Sequence, residues 1–316
     1  MSALPQVVGD PALPGGVTIY EVGPRDGLQN EKALVPTATK AAFVRRLVEA
    51  GLPVIESTSF VHPRWVPQLA DAEELVDLLV ADLGDAALDM PVLVPNERGL
   101  DRALEKGLRH LAIFGSATET FAQRNLNRSL DEQLAMFEPT VRRARDAGVE
   151  VRAYVSMCFG DPWEGAVPVD QVVDVGRRLF DLGASQLSLG DTIGVGTPNH
   201  VTALLAAFAE AGLPTESLAV HFHDTYGQAL SNAMAALRAG ITTFDASAGG
   251  LGGCPYARSA TGNLATEDLV WLLTGLGIEH GVDLPRLVET SVWMAAQLGR
   301  PSPSAVVRAL AAPAGD

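Results

Sequence analysis

A chain of 316 residues with 47% hydrophobic and 19% charged residues can bury a large core, and it lies at the upper end of what one domain accommodates. Its formal net charge of −15 argues against general affinity for nucleic acid or anionic membrane, so an anionic ligand needs locally placed arginines. No apolar run approaches the roughly 17 residues of the shortest membrane span, and the opening Met-Ser-Ala-Leu-Pro-Gln lacks the basic and apolar regions of a secretory signal. The two cysteines, Cys158 and Cys254, form no CxxC pair, so neither a disulfide scaffold nor a cysteine zinc site is expected. A cytoplasmic, reducing compartment fits these features.

In chain order, short β-branched or apolar runs occur at 17–23, 54–60, 90–95, 110–117, 149–157, 186–192, 218–225 and 242–250. Segments with helical periodicity lie between them at 37–50, 71–82, 98–106, 130–146, 168–182, 198–211 and 227–239. Eight β-then-α units predict an α/β fold, a TIM (β/α)8 barrel with additional C-terminal helices at 266–277 and 283–298. Thr266 is the expected N-cap of the first, because Glu267 and Asp268 follow it. Residues 1–316 read as one domain: a barrel over about 17–280, a helical extension over about 281–300, and an irregular tail over 301–316.

The active site of such a barrel sits where the βα loops converge, at the carboxyl ends of the strands. Strand one ends in Gly23-Pro24-Arg25-Asp26-Gly27, strand two contains Glu56, and strand six runs into Asp191-Thr192. Strand seven ends in His221-Phe222-His223-Asp224, and strand eight leads through Gly249-Gly250-Leu251-Gly252-Gly253 to Cys254. His221 and His223 share one strand face with Cα atoms roughly 6.5 Å apart, so both imidazoles can reach one ion. With Asp26 nearby, two histidines and a carboxylate also suit zinc or non-haem iron. The lack of a ligating cysteine and the presence of Asn263 favour a harder, oxygen-rich octahedral site.

The blocks EVGPRDGLQNEK (21–32), VIESTSFVHPRWVPQ (54–68), SLGDTIGVGTP (188–198), HFHDTYGQAL (221–230) and GLGGCPYARSATGNLATED (250–268) resemble the 3-hydroxy-3-methylglutaryl-CoA lyases. The wider resemblance is to metallolyase-type TIM barrels that include isopropylmalate and homocitrate synthases. RDG and HxHD are shared across that group, whereas the cysteine-bearing glycine loop and GNLATED are lyase-like. The resemblance implies Asp26, His221, His223 and Asn263 as ligands of a divalent metal, Mg²⁺ or Mn²⁺. It also implies an acyl-CoA substrate cleaved to acetoacetate and acetyl-CoA, and a homo-oligomer, dimer or larger.

By the same resemblance Arg25 is the catalytic arginine, with a structural ion pair to Glu56 or Asp191 as its alternative role. Cys254 is the loop-borne catalytic thiol and His221 a possible proton shuttle; the direction of proton transfer by the thiol stays open. Glu56, Asp191 and Glu267 match functional acids that orient Arg25, metal-bound water or the loop. Lys32, Arg64 and Arg258 lie beside matched blocks and are candidates for the coenzyme A phosphates. Cys158 is assigned no chemistry. Trp163 stands where the family has a smaller aromatic, which leaves a lyase for a longer 3-hydroxy-3-alkylglutaryl-CoA as one alternative. A condensing synthase is the other, disfavoured because such enzymes carry a further C-terminal domain.

Overall fold

The second strand-like run is where the sheet meets itself. In the computed structural model, which describes residues 4–253 and 262–311, this run is split into β2 (Val54–Ile55) and β3 (Thr58–Ser59). β2 pairs in parallel with β1 (Thr18–Glu21), while β3 pairs with β4 (Val92–Leu93). Between the halves the Glu56 amide donates to Glu21 O at 2.9 Å and the Ser57 amide to Pro91 O at 3.0 Å. β5 (His110–Ser116), β6 (Glu150–Ser156), β7 (Gln186–Asp191), β8 (Leu218–Phe222) and β9 (Thr243–Ala246) complete the order β2-β1-β9-β8-β7-β6-β5-β4-β3. The architecture is the TIM (β/α)8 barrel expected from the alternation.

Helices α1 (Thr37–Glu49), α2 (Ala72–Leu83), α3 (Glu97–Glu105), α4 (Glu119–Leu126), α5 (Leu130–Asp146), α6 (Val169–Leu182), α7 (Pro198–Glu210) and α8 (Ala229–Arg238) cover the sheet. Of these, α4 was not anticipated. Alternate strand residues Ile19, Val151, Leu187, Val220 and Phe244 belong to the buried apolar cluster shared with Phe43, Phe137 and Phe208 of the helices. The intervening residues Tyr20, Arg152, Ser188, His221 and Asp245 point the other way and are also buried. Barrel interiors are ordinarily filled with branched aliphatics, so this polar interior already marks the fold's working part.

After β9 the chain continues into α9 (Thr266–Leu276), α10 (Leu284–Leu298) and α11 (Ala305–Ala311). Thr266 does not cap α9. It is the first helical residue, and its hydroxyl donates to the Glu21 carboxylate at 2.6 Å while Ala265 occupies the cap. Nor is 301–316 irregular throughout, since α11 occupies part of it. Asp268 accepts the amides of Ala305 (3.1 Å) and Val306 (2.8 Å) and the Ser304 hydroxyl (2.7 Å), satisfying otherwise orphaned helix donors from a distant segment. That long-range cap is invisible to local periodicity.

The helical extension also fastens the glycine run. The Glu267 carboxylate accepts the Gly249 amide at 2.9 and 3.0 Å together with the Ser291 hydroxyl, and Ser302 donates to Gly249 O at 2.7 Å. Burial pushes the Glu267 carboxyl up to about 8 from its ordinary 4.5. The folded state therefore holds this proton more tightly than the unfolded chain, and the resulting stability is complete below 4.5 and lost as pH rises towards 8. Glu267→Gln, which mimics the protonated form, should flatten the fall in stability between those values in denaturant titrations; an unchanged profile refutes the linkage.

Candidate active site and metal centre

The chain turns sharply after β1 at Gly23–Gly27, where the amides of Asp26 (2.8 Å) and Gly27 (3.1 Å) both donate to Val22 O. Arg25 and Asp26 thereby face one cleft of about 710 Å³. Gly27 is required by packing, because a Cβ there would lie 2.8 Å from Leu251 Cβ and 2.9 Å from Ser247 Oγ. At Gly252, φ is +111° and a Cβ would meet Asn263 Nδ2 at 2.7 Å. Glycine thus lets three loops close on the same point.

Arg25 is 5% exposed. Its Nε donates to Glu56 Oε2 at 2.8 Å and its Nη1 to Asp26 Oδ1 at 2.6 Å, and the guanidinium lies 5.1 Å from the Tyr154 ring centre. The Tyr154 hydroxyl donates to the same Glu56 oxygen at 2.8 Å. Burial opposes the charge on Arg25, but Glu56 and Asp26 outweigh it and keep the guanidinium charged. The ion pair with Glu56 and a place in the cleft are therefore one arrangement.

His221, on β8, and His223, just beyond it, have ring centres 5.3 Å apart with the rings tilted 46° to one another. Among the described residues, Asp26, His221 and His223 each offer a ligand atom within 4.8 Å of the others. Asn263 joins His223 through an antiparallel bridge and donates from Nδ2 to Asp26 Oδ2 (2.8 Å) and Leu251 O (3.1 Å). Its Oδ1 and the Nδ1 of His223 are buried without a hydrogen-bond partner. Two orphaned buried atoms beside a carboxylate and a second imidazole fit a cation site of two nitrogens and two oxygens. Burial would raise Asp26, but Arg25 and the two histidines pull its carboxyl down to about 2. Burial, reinforced by His221, pushes His223 down to about 4, so its ring is neutral and free to ligate at neutral pH.

The three acids have separate tasks. Glu56 holds Arg25, and Glu267 holds the root of the glycine run. Asp191, pushed up by burial to about 6 despite its amide partners, accepts the amides of Val195 and Gly196 at 2.9 Å each and does not pair with Arg25. Lys32 and Arg64 are exposed and do not line the cleft. Cys254 and Arg258 lie outside the described residues, though Gly253, to which Cys254 is bonded, lines the cleft. Cys158 is buried, its thiol donating to Val155 O at 3.0 Å with its pKa pushed up by burial, a setting that disfavours the reactive thiolate.

Sequence reasoning passed over five residues. Asp245 contacts His221 Nδ1 at 3.2 Å, Arg152 pairs with Asp245, Tyr154 binds Glu56, and Arg124 and Arg128 line the cleft. Charged residues are depleted from strand interiors, so Arg152 within VEVRAYVSM and Asp245 within TTFDASAGG carried a readable signal. The two arginines carried none, being two of twenty. Trp163 lies off the cleft lining but neighbours cleft residue Phe121 in a tilted arrangement (6.5 Å between ring centres) and lies beneath Arg124 at 4.4 Å.

Known proteins resemble this chain along most of its length. The HMGL-like family model matches residues 16–293. Mitochondrial hydroxymethylglutaryl-CoA lyase of Bos taurus is 49% identical over 297 residues, covering 94% of this chain and 90% of that protein. The cytoplasmic 3-hydroxy-3-methylglutaryl-CoA lyase of Rattus norvegicus is 46% identical, covering 94% and 85% respectively. The crystal structure of hydroxymethylglutaryl-CoA lyase from Pseudomonas aeruginosa superposes with a TM-score of 0.92 at 46% identity, covering 96% of this chain and all of that one. With the family model matching residues 16–293 and relatives aligned over 94% of the chain, this protein belongs to the HMGL-like family.

Proposed function

We propose that this protein is a divalent-metal-dependent carbon–carbon lyase that cleaves 3-hydroxy-3-methylglutaryl-CoA to acetoacetate and acetyl-CoA. The observation that carries the reading is the convergence of Asp26, His221 and His223 within 4.8 Å beside a buried, charged Arg25. Asp26, His221, His223 and Asn263 would hold Mg²⁺ or Mn²⁺. When bound, the ion supplies Lewis acidity towards the substrate's hydroxyl and carbonyl oxygens.

In the reaction the C2–C3 bond breaks, the C3 hydroxyl loses its proton and becomes the acetoacetate ketone, and the bonding electrons pass into the thioester as an enolate, which takes up one proton at C2 to give acetyl-CoA. Arg25 supplies a fixed positive charge for that enolate oxygen, and Glu56 with Tyr154 holds the guanidinium where the charge develops. Cys254, bonded to cleft residue Gly253, is the proton-transfer group, in the glycine-rich segment 249–254. Glu267 fixes the Gly249 end of that segment. Arg124 and Arg128, which line the cleft, join Lys32, Arg64 and Arg258 as candidates for the coenzyme A phosphates. The reading includes a homo-oligomer and a cytoplasmic location, the latter supported by the 46% identical cytoplasmic relative. No helix among the described residues is long and apolar enough to cross a membrane.

Chelation should abolish turnover of 3-hydroxy-3-methylglutaryl-CoA, and Mg²⁺ or Mn²⁺ should restore it with equal yields of acetoacetate and acetyl-CoA. Full activity in metal-free protein, or free coenzyme A released from acetyl-CoA and a 2-keto acid, would sink the reading. Because the enolate charge develops only as the bond breaks, Arg25→Met should lower kcat far more than it raises KM. An effect confined to KM would make Arg25 a binding group instead. Cys254→Ala should reduce turnover by about 10²-fold or more while leaving Mn²⁺ binding intact, and Cys158→Ala should change little. Equal behaviour of the two cysteine variants would remove Cys254 from the mechanism.

A further inference from the structure

Beneath the cleft, one buried carboxylate has no part in the reaction just described. Asp245 is 2% exposed on β9, in register with His221 of β8 and Tyr20 of β1. Its Oδ2 lies 3.2 Å from His221 Nδ1, accepts the Ser188 hydroxyl at 2.7 Å, and accepts from Arg152 Nη1 at 3.2 Å. Its Oδ1 accepts from Arg152 Nη2. Arg152 is fixed in turn: Nε donates to Gln186 Oε1 at 2.8 Å, and the guanidinium lies 3.9 Å from the Tyr20 ring centre and 4.9 Å from that of Tyr154. Five strands, β1, β6, β7, β8 and β9, thus contribute to holding one carboxylate.

We propose that Asp245 is a positioning residue for the metal centre, fixing His221 with its proton on Nδ1 so that Nε2 presents its lone pair to the ion. The inference rests on His221 being a ligand. An ionised carboxylate can only accept hydrogen bonds, so the imidazole nitrogen facing it carries the proton, and the ring's remaining lone pair sits on the other nitrogen. The partners of Asp245 decide its role further. With Arg152 and Ser188 occupying both oxygens, the carboxylate cannot swing up to ligate the ion itself and serves only to orient the ring. An aliphatic layer would fill this level of the barrel without desolvating two charges, so packing alone does not call for the pair. What the pair does provide is an acceptor aimed at Nδ1.

The direct test is a long-range ¹⁵N–¹H correlation spectrum of the Mg²⁺-loaded protein, which reports which ring nitrogen of His221 bears hydrogen. Protonated Nδ1 with unprotonated Nε2 is expected; a proton on Nε2 overturns the proposal. The second measurement is Mn²⁺ affinity by calorimetry for wild type, Asp245→Leu and the charge-free double variant Arg152→Met with Asp245→Leu, each checked for fold by near-ultraviolet circular dichroism. The double variant avoids stranding a buried guanidinium. Either folded variant should bind Mn²⁺ about 10–100-fold more weakly than wild type. Affinity within threefold of wild type also overturns the proposal, and if neither variant folds the wild-type spectrum decides it. A wild-type protein that binds no Mn²⁺ removes the ligand reading as well, whereas normal wild-type binding with unaffected variants removes only the role of Asp245.

Discussion

The constraint on which the rest of the structure depends is that ionised groups are buried inside the barrel. Two guanidinium groups, Arg25 and Arg152, face the carboxylates of Asp26, Glu56 and Asp245. Desolvating such charges costs several kcal/mol each, and removing one partner typically costs about 3–5 kcal/mol, so the groups persist only as a matched set. Matching across strands also fixes geometry: Arg152 on β6 ties to Asp245 on β9, and Arg25 after β1 ties to Glu56 in the break between β2 and β3. The split of the second strand follows from the same need. Glu56 interrupts the strand between the bonds to β1 and β4, and its carboxylate meets Arg25 and Tyr154 instead of the apolar shell.

A second layer of control runs through backbone amides. Glu21 accepts the amides of Gly23 and Ala248, both at 2.8 Å, as well as the Thr266 hydroxyl, joining the turn that carries Arg25 and Asp26 to the glycine run and to α9. Glu267 extends the tie to α10 through Ser291. The C-terminal helices are therefore part of the active-site framework: they bury the acids that anchor both ends of the converging loops. Burial also pushes the Glu21 carboxyl up to about 7, so the framework contains two acids with a weakened preference for charge.

The alternation of apolar runs and helical periods made the barrel legible, because it arises from local burial on one strand face and one helix stripe. The strand-end polar residues Asp26, His221 and His223 stand out where the chain should turn, whereas Asn263, well past the last strand, gained its place among the ligands only through the family resemblance. Asp245 and Arg152 were passed over because their partners are 93 residues apart, and no local pattern pairs them. α11 was missed because its cap is supplied from Asp268. Thr266 was misassigned because its hydroxyl is taken by Glu21, a contact spanning 245 positions. In each case the local preference is real and a long-range hydrogen bond outcompetes it.

The acidic surface and the anionic substrate class are reconciled by distance. With a net charge of −15 the protein repels phosphates at long range, but screening at physiological ionic strength limits that field to about 8 Å. Within the cleft the relevant charges are local. Arg124 and Arg128 stand at its edge, and the buried set at its floor holds three carboxylates against two guanidinium groups. A divalent cation taken up by Asp26 and its neighbours would reverse the sign of that floor with no other change, so metal and anionic substrate would bind more tightly together than apart. His223 would serve this reversal as a neutral ligand: protonated, it would place positive charge where the ion belongs, and burial keeps its proton off at neutral pH. The same burial that makes the interior costly to build thus makes it selective for one order of charges.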